Sequence, residues 1–155
     1  MTYKGMLKEG SLDDKVIIVT GGGTGLGKSM SKYFLELGAK VIITSRKEDV
    51  LISAKKELEE LTGGSVHYVA GDVRNIDEVP LEGVDCIIHL ASIANDPCSD
   101  LDPKLTWEVS ALATMQLADK AKRNGVKRFI YASSASVYGI KKEEQVTEDL
   151  ELKPI

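Results

Sequence analysis

The chain has 155 residues, enough to bury a full core in one domain, and its 43% hydrophobic and 28% charged residues are typical of a globular protein. Its net charge of −4 comes without a basic cluster, which argues against binding of nucleic acid or a membrane surface. Apolar runs too short to span a bilayer, and an N-terminus without a secretory signal, predict a cytoplasmic protein. Two cysteines (Cys86 and Cys98) and two histidines (His67 and His89) are too few for a disulfide framework or a metal site, although Cys86 suits a buried position.

Strand-like and helix-like patterns alternate along the chain. The predicted strands are short apolar runs rich in β-branched residues, at 15–20, 40–44, 65–70, 84–90 and 126–133. Helices are predicted at 25–37, at 47–62, and from Asp102-Pro103 to about Asn124. Their apolar stripes are Leu26, Met30, Phe34 and Leu37; Leu51, Ala54, Leu58 and Leu61; and Val109, Leu112, Ala113 and Leu117. The polar tail from Lys141 is predicted to be a loop.

Five apolar strands with intervening helices predict a parallel sheet that is buried on both faces. The expected fold is a doubly wound, three-layer αβα domain of Rossmann type, covering residues 1–155, with strand order 3-2-1-4-5. Ligands bind such folds where the strand order reverses, here between the first and fourth strands.

A glycine-rich segment, TGGGTGLG at 20–27, follows the first strand directly and opens the first helix. Glycines let the backbone approach a pyrophosphate, and the N–H groups of the helix start bind its charge. The position between strand and helix is the context that this motif requires. The segment therefore predicts a dinucleotide site, the alternative being a glycine turn without a ligand.

The end of the second strand predicts which dinucleotide is preferred. An NAD site expects an acidic residue there for the ribose 2′-hydroxyl, whereas this chain has Ser45 and Arg46. An arginine suits a 2′-phosphate, so NADP(H) is predicted, with NAD(H) the alternative. Ser45 and Glu48 also have the spacing of a capping box for the second helix. S-adenosylmethionine is a weaker candidate ligand, since it has no phosphate for Arg46.

Residues after the third and fourth strands complete the predicted site. Asp72, in GDVRN, is placed either beside the adenine ring or as the cap of the following turn. The full predicted cofactor-binding set is Gly21, Gly23, Thr24, Gly25, Leu26, Gly27, Ser45, Arg46, Asp72, Val73, Ala91 and Ser92.

These motifs resemble the short-chain dehydrogenase/reductase superfamily. The stretch from Ser11 to Asn75, with GGGTGLGK, ITSRKEDVL and GDVRN, is similar to the 2,4-dienoyl-CoA reductases of its classical branch, a resemblance that implies NADPH contacts from 23–28, Arg46 and Asp72. The stretch from Asp85 onwards, with CIIHLASIANDP and RFIYASSASVYG, is similar to the extended-branch sugar-nucleotide epimerases and dehydratases. We therefore predict a mosaic of two branches joined near 75–84, of natural or engineered origin.

The resemblance also implies a catalytic serine and a Tyr-xxx-Lys pair. Ser134 matches the serine, while the helix that carries the Tyr and Lys in the family would come after Ile155. Tyr138 and Lys142 have the spacing, but Tyr138 follows the fifth strand closely and precedes a glycine, so we interpret this match as coincidental. Ser110 also stands where the extended branch usually has asparagine.

Three functions remain open from the sequence. The first is a dinucleotide-binding module without turnover, in which Ser134 is vestigial. The second is an oxidoreductase, epimerase or dehydratase fragment that needs a partner chain, and the third is a Rossmann scaffold without a tight ligand. The open edge of the fifth strand further predicts a homodimer.

Overall fold

The computed structural model describes residues 6–93 and 100–154, and its elements alternate as expected. The strands are β1 Val16–Thr20, β2 Lys40–Ser45, β3 Val66–Ala70, β4 Cys86–His89 and β5 Arg128–Tyr131. They form one parallel five-stranded sheet in the order β3-β2-β1-β4-β5. The predicted doubly wound topology is confirmed.

Helices cover the two faces of the sheet. They are α1 Gly25–Glu36, α2 Glu48–Thr62, α3 Pro103–Thr106 and α4 Ala113–Arg123, and a π-helical segment, Trp107–Leu112, joins α3 to α4. On one face α1 and α2 pack over the sheet through residues such as Leu35 and Leu58, and on the other α4 packs through Leu117 and Ala121. The result is the expected three-layer arrangement. Within the described ranges, no helix has the length and apolarity needed to cross a membrane.

The apolar face of α1 differs from the prediction in its first half. The predicted positions Phe34 and Leu37 do face the core. Leu26 is 77% exposed and Met30 is 36% exposed, whereas Gly27, Ser31 and Leu35 are buried. The cause is the close approach of Gly27 to the glycine loop, which turns its side of the helix towards the sheet. The Ser31 hydroxyl is accommodated there because it donates to the Gly27 carbonyl at 2.8 Å.

Smaller corrections concern the other helices and β4. Leu61 is 59% exposed at the end of α2. Leu112 is 37% exposed, because the π-helical segment changes the residue spacing on which the predicted stripe was built. Cys86 is half-buried rather than buried, and desolvation raises the pKa of its thiol. Cys98 lies outside the described residues.

The ends of the helices follow the sequence in part. Asp102 Oδ1 accepts the Leu105 N–H at 2.9 Å, with Pro103 at the first helical position, as predicted. The predicted capping box of Ser45 and Glu48 is wrong, since Lys47 is the N-cap of α2 and its side chain makes no capping bond. Ser45 instead ends β2, where its carbonyl accepts the Gly71 N–H at 3.0 Å.

The outer edge of the sheet at β5 has no strand partner among the described residues. Ile130 is 51% exposed and Tyr131 is 41% exposed. The tail forms a loop, as predicted, and it folds onto the 3₁₀ turn Ala135–Tyr138, where the Lys153 N–H donates to the Val137 carbonyl at 2.9 Å. In the described part of the chain, no hydrogen bond joins this tail to β5.

Candidate functional site

The glycine loop is shaped by two close approaches. Gly21 has a φ of +74°, and its N–H donates to the Thr44 carbonyl at 2.8 Å, so the loop is fastened to β2. A Cβ at Gly22 would lie 2.7 Å from Ile43 Cγ2, and one at Gly27 would collide with the Gly21 carbonyl oxygen. The loop and the start of α1 therefore require glycine at positions 22 and 27 for steric reasons.

The start of α1 has the properties of an anion site. The N–H groups of Gly25, Leu26 and Gly27 have no acceptor among the described residues, and the Thr24 side chain makes no capping bond. The first turn of α1 carries no acidic residue. Unpaired N–H groups at the positive end of a helix dipole favour a phosphate group, so this backbone fits the pyrophosphate of a dinucleotide.

A cavity of about 290 Å³ opens beside the loop at the carboxyl edge of the sheet. Thr20 of β1 is level with Thr44 of β2 and His89 of β4, so the segments that follow these strands leave the sheet together. The cavity is lined by Gly21, Thr44, Ser45, Arg46, Gly71, Asp72, Val73, Leu90, Ala91, Ser92, Ile93 and Val109. Seven predicted residues are in this lining: Gly21, Ser45, Arg46, Asp72, Val73, Ala91 and Ser92. The other five, Gly23, Thr24, Gly25, Leu26 and Gly27, lie outside it in the loop and the first turn of α1.

Two basic side chains near the loop have different surroundings. Lys28 pairs with Glu57 of α2 at 2.9 Å. Arg46 is exposed at the cavity and makes no hydrogen bond or ion pair within residues 6–93 and 100–154. Arg46 is therefore the more available of the two cations for an anionic ligand.

Asp72 belongs to an ion-pair network that joins the segment after β3 to the π-helical segment. Arg74 makes two bonds of 2.9 Å to the Asp72 carboxylate, and its third nitrogen lies 3.3 Å from Glu108. Asp72 Oδ1 also accepts the Arg74 N–H at 3.0 Å, so the turn-capping interpretation of Asp72 describes its contacts. The side-chain bond from Arg74 lowers the pKa of Asp72 to about 2. Asp72 is therefore ionised at neutral pH.

This network predicts a specific acid sensitivity. Because the Asp72 pKa is lowered by folding, the ionised carboxylate stabilises the fold above the unfolded pKa, near 4, and that stabilisation is lost as pH falls towards 2. Urea denaturation of wild type and Asp72→Asn should give midpoints that converge over this window. Asp119→Asn is the control, since Asp119 is exposed and makes no ion pair among the described residues. A constant difference between wild type and Asp72→Asn from pH 5 to 2 would contradict the expectation.

The residues of the predicted catalytic set lie after β5. Ser134 is exposed, and its Oγ lies 2.6 Å from Ser136 Oγ and accepts the Ser136 N–H at 3.2 Å. Tyr138 ends the 3₁₀ turn, and Gly139 follows with a φ of +66°. Tyr138 and Lys142 are therefore not on one helix, which agrees with a coincidental spacing match.

Comparison with protein families gives one match over most of the chain. The model of the NAD dependent epimerase/dehydratase family matches residues 17–155. The chain belongs to the NAD-dependent epimerase/dehydratase family. The predicted resemblance of the stretch from Asp85 onwards to the extended branch is thus confirmed. The match also includes β1 to β3, which the sequence analysis had compared with the classical branch.

Individual relatives of this epimerase/dehydratase chain fall into two groups. UDP-glucose 4-epimerase of Bacillus subtilis is 26% identical over 140 residues, 88% of this chain and 41% of that enzyme. "Probable 2,4-dienoyl-CoA reductase 3" of Caenorhabditis elegans is 39% identical over 70 residues, 45% of this chain and 23% of that protein. Resemblance to both branches is confirmed, and the mosaic origin stays a prediction. The chain spans less than half the length of either relative.

A solved structure agrees with the first group. The UDP-glucose 4-epimerase of Bifidobacterium longum, in complex with NAD⁺ and UDP, superposes with a TM-score of 0.79. It is 27% identical, and the superposition covers 90% of this chain and 43% of that one. Sequence identity and backbone superposition therefore both support the epimerase/dehydratase fold.

Sequence reasoning missed five lining residues of the epimerase/dehydratase chain, namely Thr44, Gly71, Leu90, Ile93 and Val109. The first four lie next to or close to predicted site residues, at or after the carboxyl ends of β2, β3 and β4. Their position at the strand ends could therefore have identified them as lining residues. Val109 comes from the π-helical segment, whose geometry the apolar pattern did not predict.

Proposed function

We propose that this chain is a dinucleotide-binding module that prefers NADP(H) over NAD(H). The family match supports binding of an NAD(P) cofactor. The preference is carried by one observation: Arg46 lies at the cavity without an ion-pair partner in the described ranges, at a position where an NAD site would place a carboxylate. The arginine would bind a 2′-phosphate through charge-assisted hydrogen bonds.

The residues divide into separate binding roles. The N–H groups of the first turn of α1 would hold the pyrophosphate, and Arg46, with Ser45, would hold the 2′-phosphate. Asp72 and Val73 would contact the adenine end, and Ala91 and Ser92 the far wall. When bound, the cofactor supplies hydride transfer; these side chains and N–H groups bind and orient it.

The first test is a titration of the purified chain with NADPH and NADH, followed by nicotinamide fluorescence and by melting temperature. A ligand at 100 times its Kd stabilises a fold by about 2.7 kcal/mol, or roughly 5–10 °C for a chain of this size. The proposal expects this shift with NADPH and a much smaller one with NADH at equal concentration. Equal binding would overturn the preference, and absence of both would leave a scaffold without a tight ligand.

We further propose that these residues hold the cofactor without turning it over. Ser134 bonds to its neighbour Ser136, and Tyr138 is separated from Lys142 by a turn, so the described residues supply no paired acid and base. The family match is the observation that supports the alternative, a fragment that needs a partner chain for turnover. Reduction of bound NADP⁺ on adding a sugar nucleotide, by this chain alone, would refute the binding-module proposal.

The edge of the sheet supports a proposed homodimer. β5 has no strand partner on its outer side among the described residues, and it exposes Ile130 and Tyr131. Pairing of two β5 edges would satisfy the open backbone groups of both copies. Light scattering across a concentration series should show a dimer that Ile130→Lys weakens. A monomer throughout the series would contradict this expectation.

A further inference from the structure

A chain of hydrogen bonds runs through the core beneath the cavity. Thr20 Oγ1, at the end of β1, lies 3.0 Å from His89 Nδ1, at the end of β4. His89 Nε2 lies 3.0 Å from Thr114 Oγ1 of α4, and Thr114 bonds to the Ser110 carbonyl at 2.9 Å. Ser110 Oγ then accepts the Ile93 N–H at 2.9 Å. These hydrogen bonds thus connect β1, the strand before the glycine loop, to the cavity wall by way of the π-helical segment.

The direction of the first bond follows from counting donors and acceptors. Thr20 Oγ1 accepts the Leu90 N–H at 2.9 Å and the Ala91 N–H at 3.0 Å. A hydroxyl oxygen has two acceptor sites and one proton, so both acceptor sites are filled. The remaining proton must be donated to His89 Nδ1, which therefore carries no proton.

The other end of the imidazole gives the same tautomer independently. The Thr114 hydroxyl donates its proton to the Ser110 carbonyl, so it can accept from His89 Nε2–H. His89 is thus neutral, with its proton on Nε2. The ring is fully buried beside Phe129 and Tyr131 of β5, with centroid distances of 5.8 and 5.9 Å, and desolvation lowers its pKa to about 4.

Three residues at the two ends of this series of hydrogen bonds line the cavity. Leu90 and Ala91 are held through their N–H groups by Thr20, and Ile93 is held by Ser110. We propose that His89 is a positioning residue of the dinucleotide site, which fixes this wall through Thr20 and Thr114 without touching the cofactor. The ligand part of this inference rests on the proposed function, whereas the positioning of the wall does not.

The tautomer can be tested on the wild-type chain by ¹⁵N–¹H correlation NMR of the imidazole rings. The sequence has two histidines, and His67 on β3 is exposed, so it serves as an internal reference that exchanges its proton with solvent. His89 should show a single neutral tautomer protonated at Nε2 that persists at pH 5. A ring protonated at Nδ1, or one that already carries a second proton at pH 5, would overturn the proposal.

The positioning role is tested by Thr114→Val, which is close to isosteric and removes the acceptor of His89 Nε2–H. Amide exchange at Leu90 and Ala91 should become about tenfold faster, and NADPH should bind about tenfold more weakly. Thr114→Ser restores the hydroxyl and should return both quantities to wild-type values. Thr106→Val is the matched control, because Thr106 makes the same type of bond, to the Asp102 carbonyl at 3.0 Å, away from the histidine.

The two measurements separate two kinds of failure. Faster exchange in Thr114→Val, in a chain that binds no dinucleotide, would refute the proposed function and support the positioning of the wall. Unchanged exchange at Leu90 and Ala91 would refute the positioning role, whatever the affinity of the wild-type chain.

Discussion

Replacing Arg46 with alanine should weaken NADPH binding by about 10- to 100-fold and leave NADH binding unchanged. The estimate follows from the loss of a charge-assisted hydrogen bond worth about 1.5–3 kcal/mol. The effect should be confined to affinity, because Arg46 is exposed and makes no hydrogen bond or ion pair in the described part of the chain. Paired fluorescence titrations with both dinucleotides measure it.

Two further variants make this test specific. Arg123→Ala removes one positive charge from the end of α4, remote from the cavity lining, and controls for a general charge effect. Arg46→Asp places a carboxylate at the end of β2 and should reverse the preference towards NADH, because the acid can accept from the ribose 2′-hydroxyl. If Arg46→Ala weakened both dinucleotides equally, the 2′-phosphate role of Arg46 would be wrong.

Gly27→Ala should be strongly destabilising, by about 3 kcal/mol. Its Cβ would collide with the Gly21 carbonyl oxygen and lie 2.9 Å from the Gly21 carbonyl carbon, so backbone rather than a side chain must move. The movement would also displace the N–H groups that start α1, so dinucleotide binding should be lost with stability. Urea denaturation should show a midpoint lowered by roughly 1–3 M.

The matched control is Gly63→Ala at the end of α2. Gly63 has a φ of +66° and no atom within 4 Å of an added Cβ, so this change introduces backbone strain without a clash. A cost of about 1 kcal/mol is expected, with dinucleotide binding unaffected. A Gly27→Ala variant no less stable than Gly63→Ala would show that the loop can relax around the methyl group.

The topology and the site position could be predicted because local patterns determine them. Apolar β-branched runs such as 15–20 and 40–44 identify the strands, and alternation with helices leaves few arrangements for a parallel sheet. The glycine loop then places the site at the carboxyl edge beside β1. Seven predicted residues line one cavity for this reason.

Details that depend on packing were not predictable in the same way. The face of α1 is set by the contact of Gly27 with the loop, while the hydrophobic pattern favoured Leu26 and Met30. The apolar pattern of the segment that exposes Leu112 indicates a regular α-helix and does not reveal the π-helical turn. The capping box failed because β2 extends to Ser45 and uses its carbonyl in the sheet.

The hydrogen-bonded histidine could have been suspected from the predicted strand order. Thr20 ends the predicted strand 15–20, and His89 is the penultimate residue of the predicted strand 84–90. Because these two strands were expected to be neighbours, both residues were expected near the same edge of the sheet. The partner Thr114 was not foreseeable, since it depends on the register of α4 after the π-helical segment. A buried imidazole needs a hydrogen-bond partner for each of its two nitrogens, and Thr114 is the partner of His89 Nε2.

The strand order has a consequence for how such chains can exchange parts. In the sheet, the segment from β1 to β3 meets the segment from β4 to β5 along one ladder, which pairs Ile17 with Cys86 and ends with Thr20 beside His89. A foreign β4–β5 segment would therefore have to match a single strand register within the sheet, whereas β1–β2 and β2–β3 would keep their own partners. A doubly wound sheet of this order can therefore be divided beside its central strand, with one strand pairing to re-form.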